Sequence, residues 1–308
     1  MNVLIAGGSG FVGQAFIKAY GEKHNITVLS RNPKKAQAPC AHSDVTWLSW
    51  QELEQKSSPL AAFDAVVNCC GESVAGGRFN AAFKKKLWQS RIDPTKKLAA
   101  LMHSAPKHLV WVQLSGVGIY GGFEDTKQVI TKPLGLDEIT RDHSFMQDLG
   151  LEWEKTAQEA FKLSAVRGVL FRLGVVVDPD GGALVPLKRA AKCNLLGPMG
   201  SGEQPFSWVA VEDVVDALNF ALENSALKGT YNLVAPEVCT QKAFAKALAQ
   251  ACGRWTFLPT PALVLKVLLG EMAKALILKG QAVLDTHLSK QGFTFRYTRC
   301  RDWFDDKL

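Results

Sequence analysis

Metal and disulfide chemistry have little foothold in this chain. Its seven cysteines (Cys40, Cys69, Cys70, Cys193, Cys239, Cys252 and Cys300) are scattered, odd in number and form no C-x-x-C pair. They read as reduced thiols of a cytoplasmic protein, with neither a zinc site nor a disulfide framework. The six histidines fall at no ligand spacing, and no metal is expected. The start has no basic segment and its first apolar run stops at glycines, so no secretory leader is expected. Long uncharged apolar runs are also missing. The most hydrophobic stretch, Pro261–Lys279, is interrupted by Lys266, Glu271 and Lys274. A membrane span wants about 20 apolar residues with few or no charges, so a core or interface helix is expected and no membrane. No repeat and no low-complexity linker is visible. The net charge is +7, but the basic residues are dispersed and their only tight run, Lys84-Lys85-Lys86, falls in a helical stretch. No nucleic-acid module is recognisable. An anionic cofactor or substrate accounts for part of the excess charge.

What is present begins at once. Val3, Leu4 and Ile5 form a short apolar run that predicts a buried parallel strand. Gly7, Gly10 and Gly13 follow with G-x-x-G-x-x-G spacing, and Phe11–Tyr20 carries a helical pattern. In a strand-to-helix dinucleotide turn each glycine has a physical task. Gly7 permits the tight turn, Gly10 lets the backbone approach a pyrophosphate, and Gly13 lets the helix pack closely. The free N–H groups of the new helix, at Phe11 and Val12 among others, then face the phosphates.

Strand and helix patterns alternate from there. Strands are expected at Ile26–Leu29, Val45–Leu48, Ala65–Cys69, Leu109–Leu114 and Val169–Val177. Helices are expected near Phe79–Arg91, Pro94–Ser104 and Met146–Leu163. This βαβ rhythm predicts an α/β fold, an open, doubly wound parallel sheet with helices on both faces. After Asp178 the rhythm changes, with helices at Leu184–Cys193, Val211–Glu223 and Gln241–Cys252 and a strand at Tyr231–Val234. Residues 1–178 are read as the nucleotide-binding domain, with 203–234 returning to it. Residues 179–202 and 235–308 are read as a smaller, mainly helical C-terminal lobe.

The second strand ends at Ser30-Arg31-Asn32, with Lys34 and Lys35 beyond and no carboxylate nearby. A carboxylate there would bind the ribose hydroxyl of NAD, whereas an arginine accommodates the extra phosphate of NADP. The cofactor expected is NADP. Three more strand ends collect at the same edge: Cys70-Gly71-Glu72, Leu114-Ser115 through Tyr120-Gly121, and Arg172-Leu173-Gly174-Val175. The vicinal Cys69 and Cys70 read as packing residues.

With these motifs the chain resembles an extended short-chain dehydrogenase/reductase, and more closely the atypical "epimerase family" branch of sugar-nucleotide-epimerase-like proteins. The likeness extends over almost the whole chain and includes Ser90-Arg91, Ser115 to Gly121, Trp153-Glu154, Arg172 to Val176, Gly200-Ser201-Gly202, Ser207-Trp208, Leu269 to Ala273 and Gly292-Phe293-x-Phe295. It implies an NADP-binding Rossmann domain and a small substrate lobe, with Arg91 on the cofactor and Arg78, Tyr120, Ser207 and Trp208 on the substrate. Ordinary members of that superfamily use a Tyr-x-x-x-Lys pair, in which the lysine lowers the phenol pKa. Here Tyr20, Tyr120, Tyr231 and Tyr297 are followed four residues on by His24, Glu124, Ala235 and Arg301, and the matching helix positions hold Leu149 and Trp153. Ser115 remains to polarise a carbonyl, with Tyr120, Glu152 or Glu154 as candidate proton donors. Two classes of function stay open. One is an NADP-dependent oxidoreductase or epimerase acting on a small or nucleotide-linked carbonyl or hydroxyl compound. The other is a catalytically silent NADP(H) sensor.

Overall fold

The computed structural model describes residues 1–37, 44–102, 105–163, 165–256 and 259–308. Cys40 and the last two residues of the expected helix Pro94–Ser104 lie outside these. The chain opens with β1 (Asn2–Ala6), α1 (Phe11–Tyr20), β2 (Asn25–Ser30), α2 (Pro33–Gln37), β3 (Thr46–Ser49), α3 (Trp50–Glu54) and β4 (Ala65–Asn68). It continues with α4 (Ala81–Leu101), β5 (Val110–Gly116), α5 (Phe145–Leu163) and β6 (Arg167–Leu173). Then come β7 (Val175–Asp178), β8 (Gly181–Gly182), α6 (Leu184–Lys192), β9 (Trp208–Ala210), α7 (Val211–Glu223) and β10 (Gly229–Leu233). The remainder is helical: α8 (Gln241–Ala251), α9 (Ala262–Leu269), α10 (Glu271–Leu276) and α11 (Cys300–Lys307).

Seven strands form one sheet in the order β10-β6-β5-β4-β1-β2-β3, every neighbouring pair parallel. Its central strands are buried on both faces, which is why they read as continuous apolar runs. Successive β1 side chains serve opposite layers. Val3 and Ile5 pack with Phe16 and Ile17 of α1 and Val214 and Leu218 of α7. Leu4 and Ala6 pack with Leu98 of α4, Trp111 of β5 and Ala157 of α5. The chain reverses direction across the sheet between β1 and β4. In an open α/β sheet that switch point is where a crevice forms beyond the strand ends.

Beyond shifts of one or two residues at element ends, three differences from the sequence expectation have a physical cause. The strand expected over Val169–Val177 splits at Gly174. Its N–H donates to Leu233 O at 3.1 Å, and β7 leaves the main sheet to pair with β9 and β8. The helices expected on either side of Pro94 are one helix, α4, with the proline inside it. A proline there removes one ladder bond and its ring crowds the carbonyl four residues back, and burial of Leu87, Ile92, Thr95 and Leu98 along α4 holds the helix through the defect. The apolar stretch Pro261–Lys279 breaks into α9 and α10 at Gly270, whose φ is +58°. Among the described residues no helix is long and apolar enough to cross a membrane. A third cluster, including Leu184, Trp208, Phe244, Leu248, Trp303 and Phe304, forms the core under α6, α8 and α11.

Candidate functional site

The glycine turn joins β1 to α1 at the switch point. Gly7 has φ +81°, and a Cβ there would fall 2.8 Å from the backbone of Cys69 and Cys70. Its carbonyl accepts the Gly10 N–H at 2.9 Å, closing the turn. Gly13 packs against the same turn, and a Cβ on it would lie 2.5 Å from Gly8 Cα and 2.8 Å from Gly7 O. Gly10 is different. It is exposed, and its Cβ would meet only Gly7 O, at 3.1 Å. Gly10 caps α1 without a side-chain bond, and no acidic residue sits in the first turn. The first helical amide to find an acceptor in the helix is that of Gln14. The N–H groups of Phe11, Val12 and Gly13 and the positive end of the helix are thus left for an anion.

Arg31 stands at the end of β2, exposed, with no ion pair or side-chain hydrogen bond among the described residues. Ser30 Oγ accepts the Asn32 N–H at 3.3 Å, and Asn32 Oδ1 accepts the Lys35 N–H at 3.2 Å. The neighbouring turn is therefore held by Ser30 and Asn32, while the arginine is free. Burial pushes the Cys70 thiol up to about 12, with the Arg31 charge pulling the other way. Burial raises Cys69 as well. Both thiols are protonated at neutral pH, which fits packing residues rather than a redox pair.

Beyond β4, Gly71 is exposed and Glu72 half-buried. A Cβ on Gly71 would lie 3.2 Å from the Arg91 guanidinium carbon. Arg91 Nη2 donates to Glu72 O at 3.0 Å and the guanidinium lies over the Trp153 ring, 5.3 Å from its centroid. Burial lowers Arg91 to about 10. A cation from α4 thus lies over the Trp153 ring of α5. A buried chain of amides and hydroxyls supports it. Asn68 Nδ2 donates to Thr95 Oγ1 at 3.0 Å and to Gln113 Oε1 at 2.9 Å, and Trp153 Nε1 donates to the same Thr95 oxygen at 3.0 Å.

Ser115 lies near the end of β5, 4% exposed, and its hydroxyl has no hydrogen-bond partner. Leu114 is buried beside it in sequence, and Leu173 and Val175 are half-buried at the end of β6 and the start of β7. Ser115 pairs in register with Arg172 of β6. The Arg172 side chain, however, does not line an open crevice. It is fully buried in an ion pair with Glu154, Nη2 to Oε2 at 2.7 Å, with Nε 2.9 Å from Oε1. Its Nη1 donates to Tyr120 Oη and to Leu134 O, both at 2.8 Å. Tyr120 Oη donates in turn to Asn232 Oδ1 at 2.6 Å. Burial raises the Tyr120 phenol, against the opposing Arg172 charge.

Several expected site residues are therefore placed elsewhere than the sequence suggests. Arg172, Tyr120 and Glu154 form a buried polar knot behind the strand ends, because each satisfies the others' hydrogen-bonding capacity. Glu152 faces a separate surface cavity of about 300 Å³, lined also by Trp88, Arg141, Asp148 and Lys155; Ser115 is not part of that lining. Ser207 Oγ donates to Gln281 O at 2.6 Å and accepts the Val283 N–H at 3.2 Å, tying two segments together. Trp208 is buried in the C-terminal core. A Cβ on Gly174 would lie 2.9 Å from Ser207 O, so that glycine serves a close strand approach. Arg78 is exposed.

Residues 3–233 match the model of the NAD dependent epimerase/dehydratase family. The chain belongs to that family. Residues 260–306 match a domain of unknown function, DUF1731. Among similar proteins is the mouse epimerase family protein SDR39U1, 32% identical over 98% of this chain and 97% of its own length. An Arabidopsis thaliana homologue of SDR39U1 with the designation chloroplastic is 33% identical over 98% of this chain and 85% of its length. The crystal structure of human SDR39U1 with NADPH superposes with a TM-score of 0.86, at 30% identity, covering 100% of this chain and 99% of that one. A Bacillus cereus UDP-glucuronic acid 4-epimerase shares the fold at 15% identity and a TM-score of 0.73, covering 100% of this chain and 95% of its own.

Within this epimerase/dehydratase framework, the residues that sequence reasoning missed are those holding others in place. Asn232, Thr95, Gln113 and Leu134 meet their partners across 27 to 112 positions. No spacing rule reaches that far. The one accessible signal is a polar residue inside an apolar strand, as Asn68 and Gln113 are.

Proposed function

We propose that this protein binds NADP(H) at the β1–α1 turn and is an oxidoreductase or epimerase acting on a small or nucleotide-linked carbonyl or hydroxyl compound. The observation that carries the reading is Ser115. It is the one hydroxyl among the described residues that is buried and without a partner, and it stands at the strand-end edge that also bears the glycine turn. A buried hydroxyl left unbonded costs free energy unless something bonds to it, and a substrate oxygen supplies that partner. The chain's residues fit the dinucleotide. Amides of Phe11, Val12 and Gly13 take the pyrophosphate, and exposed Gly10 lets it approach. Free Arg31 takes the ribose phosphate, and Gly71, Glu72 and Arg91 border the crevice beyond β4. Bound NADPH would supply a hydride. Ser115 would orient the reacting oxygen, with Leu114, Leu173 and Val175 excluding water beside it. Tyr120 would have to give up its bond to Asn232 to donate a proton, and Glu154 its bonds to Arg172. Residues 179–202 and 235–308 would form the lobe that receives the substrate. The free thiols suit a reducing compartment such as the cytoplasm.

The burial of Tyr120 and Glu154, together with the missing Tyr-x-x-x-Lys pair, favours a second reading, a silent NADP(H) sensor. NADPH consumption over a broad panel of carbonyl compounds separates the two. For an enzyme, Ser115→Ala should lose about 10²–10³-fold in turnover, the scale of removing one oriented donor, with NADPH affinity retained. Tight NADPH binding without consumption of any compound would establish the sensor instead.

A further inference from the structure

A second cluster of reactive groups lies in the C-terminal lobe. Glu237 and Cys239 precede α8, and Cys300 is the first residue of α11. A carboxylate oxygen of Glu237 and the two sulfurs lie within 4.8 Å of one another. The cysteines are buried, at 6% and 4% exposure. Glu237 is half-buried, so the cluster opens to solvent on its carboxylate side. We propose that Glu237, Cys239 and Cys300 form a binding site for a thiophilic divalent cation of the zinc class, with a fourth position for water.

Ligands at about 2.0–2.3 Å from a tetrahedral zinc stand roughly 3.3–3.8 Å apart, so a contraction of about an ångström would close the ring. The donor set selects the ion. Two thiolates and one carboxylate suit zinc, whereas magnesium and calcium demand oxygen ligands. Each ligand is also oriented by the protein, as metal ligands usually are. Glu237 Oε2 accepts the Cys300 N–H at 2.8 Å, which sets the carboxylate beside that sulfur. The Cys239 thiol donates to Phe206 O at 3.2 Å, a bond it would exchange for the metal. Binding converts two thiols to thiolates, so two protons leave for each divalent ion that enters. The bound ion would tie α11 to the turn before α8. Ligands two positions apart and then sixty-one apart match no zinc-binding spacing, which is why the sequence predicts no metal.

The test uses the full-length protein, reduced and stripped of metal by a chelator. Titration with Zn²⁺ should show one ion bound, two protons released, and a melting temperature that rises with free zinc. Co²⁺ should give the thiolate charge-transfer absorption and the intense visible bands of a tetrahedral site. Glu237→Gln keeps an acceptor for the Cys300 N–H and leaves the core intact, yet should weaken Zn²⁺ by more than about tenfold, since even an outer-shell partner is worth that much. Cys239→Ala should abolish the cobalt bands. The proposal is overturned if no stoichiometric ion binds, or if binding persists in a Cys239→Ala/Cys300→Ala double variant.

Discussion

Glu154→Gln distinguishes a structural carboxylate from a catalytic one. In the native protein Glu154 and Arg172 are both fully buried, and the guanidinium also bonds Tyr120 Oη and Leu134 O. Glutamine preserves the volume but removes the negative charge, and its amide group turns donors toward donors. Arg172 is then left as a buried, uncompensated cation. Breaking a buried pair from one side costs about 3–5 kcal/mol. For a chain of this size each kcal/mol lowers the melting temperature by about 2–3 °C, so a drop of about 6–15 °C is expected by calorimetry. Removing both charges together, as in Glu154→Leu with Arg172→Met, should recover much of that loss, because the cost lies in the unpaired charge and not in the missing pair. A Glu154→Gln protein that melts within 2 °C of the parent would refute this reasoning. If it also lost an NADPH consumption that the parent shows, Glu154 would be the proton carrier that the sequence suggests.

Arg31→Ala should lower NADP(H) affinity about tenfold, the lower end of the range for a charge-assisted contact on an exposed residue, and leave NAD(H) affinity unchanged by titration calorimetry; equal affinity of the parent for both cofactors would refute the assignment. Gly10→Val should abolish NADPH binding with little change in apo stability, since its Cβ meets only Gly7 O at 3.1 Å, whereas Gly13→Ala should destabilise the apo fold because its Cβ meets backbone at 2.5 Å. Asp213 is fully buried, and burial, aided by the charges of Asp216 and Glu212, pushes its carboxyl up from 3.8 to about 6 despite the N–H groups of Arg296 and Tyr297 that bond to it. The folded protein holds that proton more tightly than the unfolded chain, so the stability it brings is complete below about pH 4 and is lost as pH rises through 6, by up to about 3 kcal/mol; Asp213→Asn should remove that part of the slope in denaturant titrations from pH 4 to 8.

The glycine turn, the strand order's βαβ origin and α7 (Val211–Glu223) were all legible in the sequence, because each rests on a local pattern: spacing, apolar runs, or acidic residues in a first turn. The bounds failed where a local rule met tertiary packing. Pro94 reads as a helix break, but the buried face of α4 outweighs the lost hydrogen bond and the crowding by the ring. Gly174 sits in a strongly apolar run, yet the strand changes sheets there because the Ser207 backbone lies against it. The roles of Tyr120, Glu154 and Arg172 were hidden for another reason. A carboxylate or phenol near a strand end looks the same in sequence whether it faces a crevice or an arginine. Only the meeting of α5, β6 and the segment after β5 decides between them.

The late arrival of β10 bears on how the protein is made. Arg172 needs Asn232 to complete its network through Tyr120, and β6 needs β10 to cover its outer side. During synthesis at about 5–20 residues per second, β6 leaves the ribosome several seconds before its neighbour exists. For that interval an apolar strand edge stands open, with a cation behind it that cannot yet be fully enclosed. Long-range pairing of this kind slows folding and exposes the nascent chain to self-association. The part of the sheet that precedes Asp178 is thus not a unit that can finish by itself. A chain ending near Asp178 would hold an unsealed sheet, with the β6 edge open to other chains.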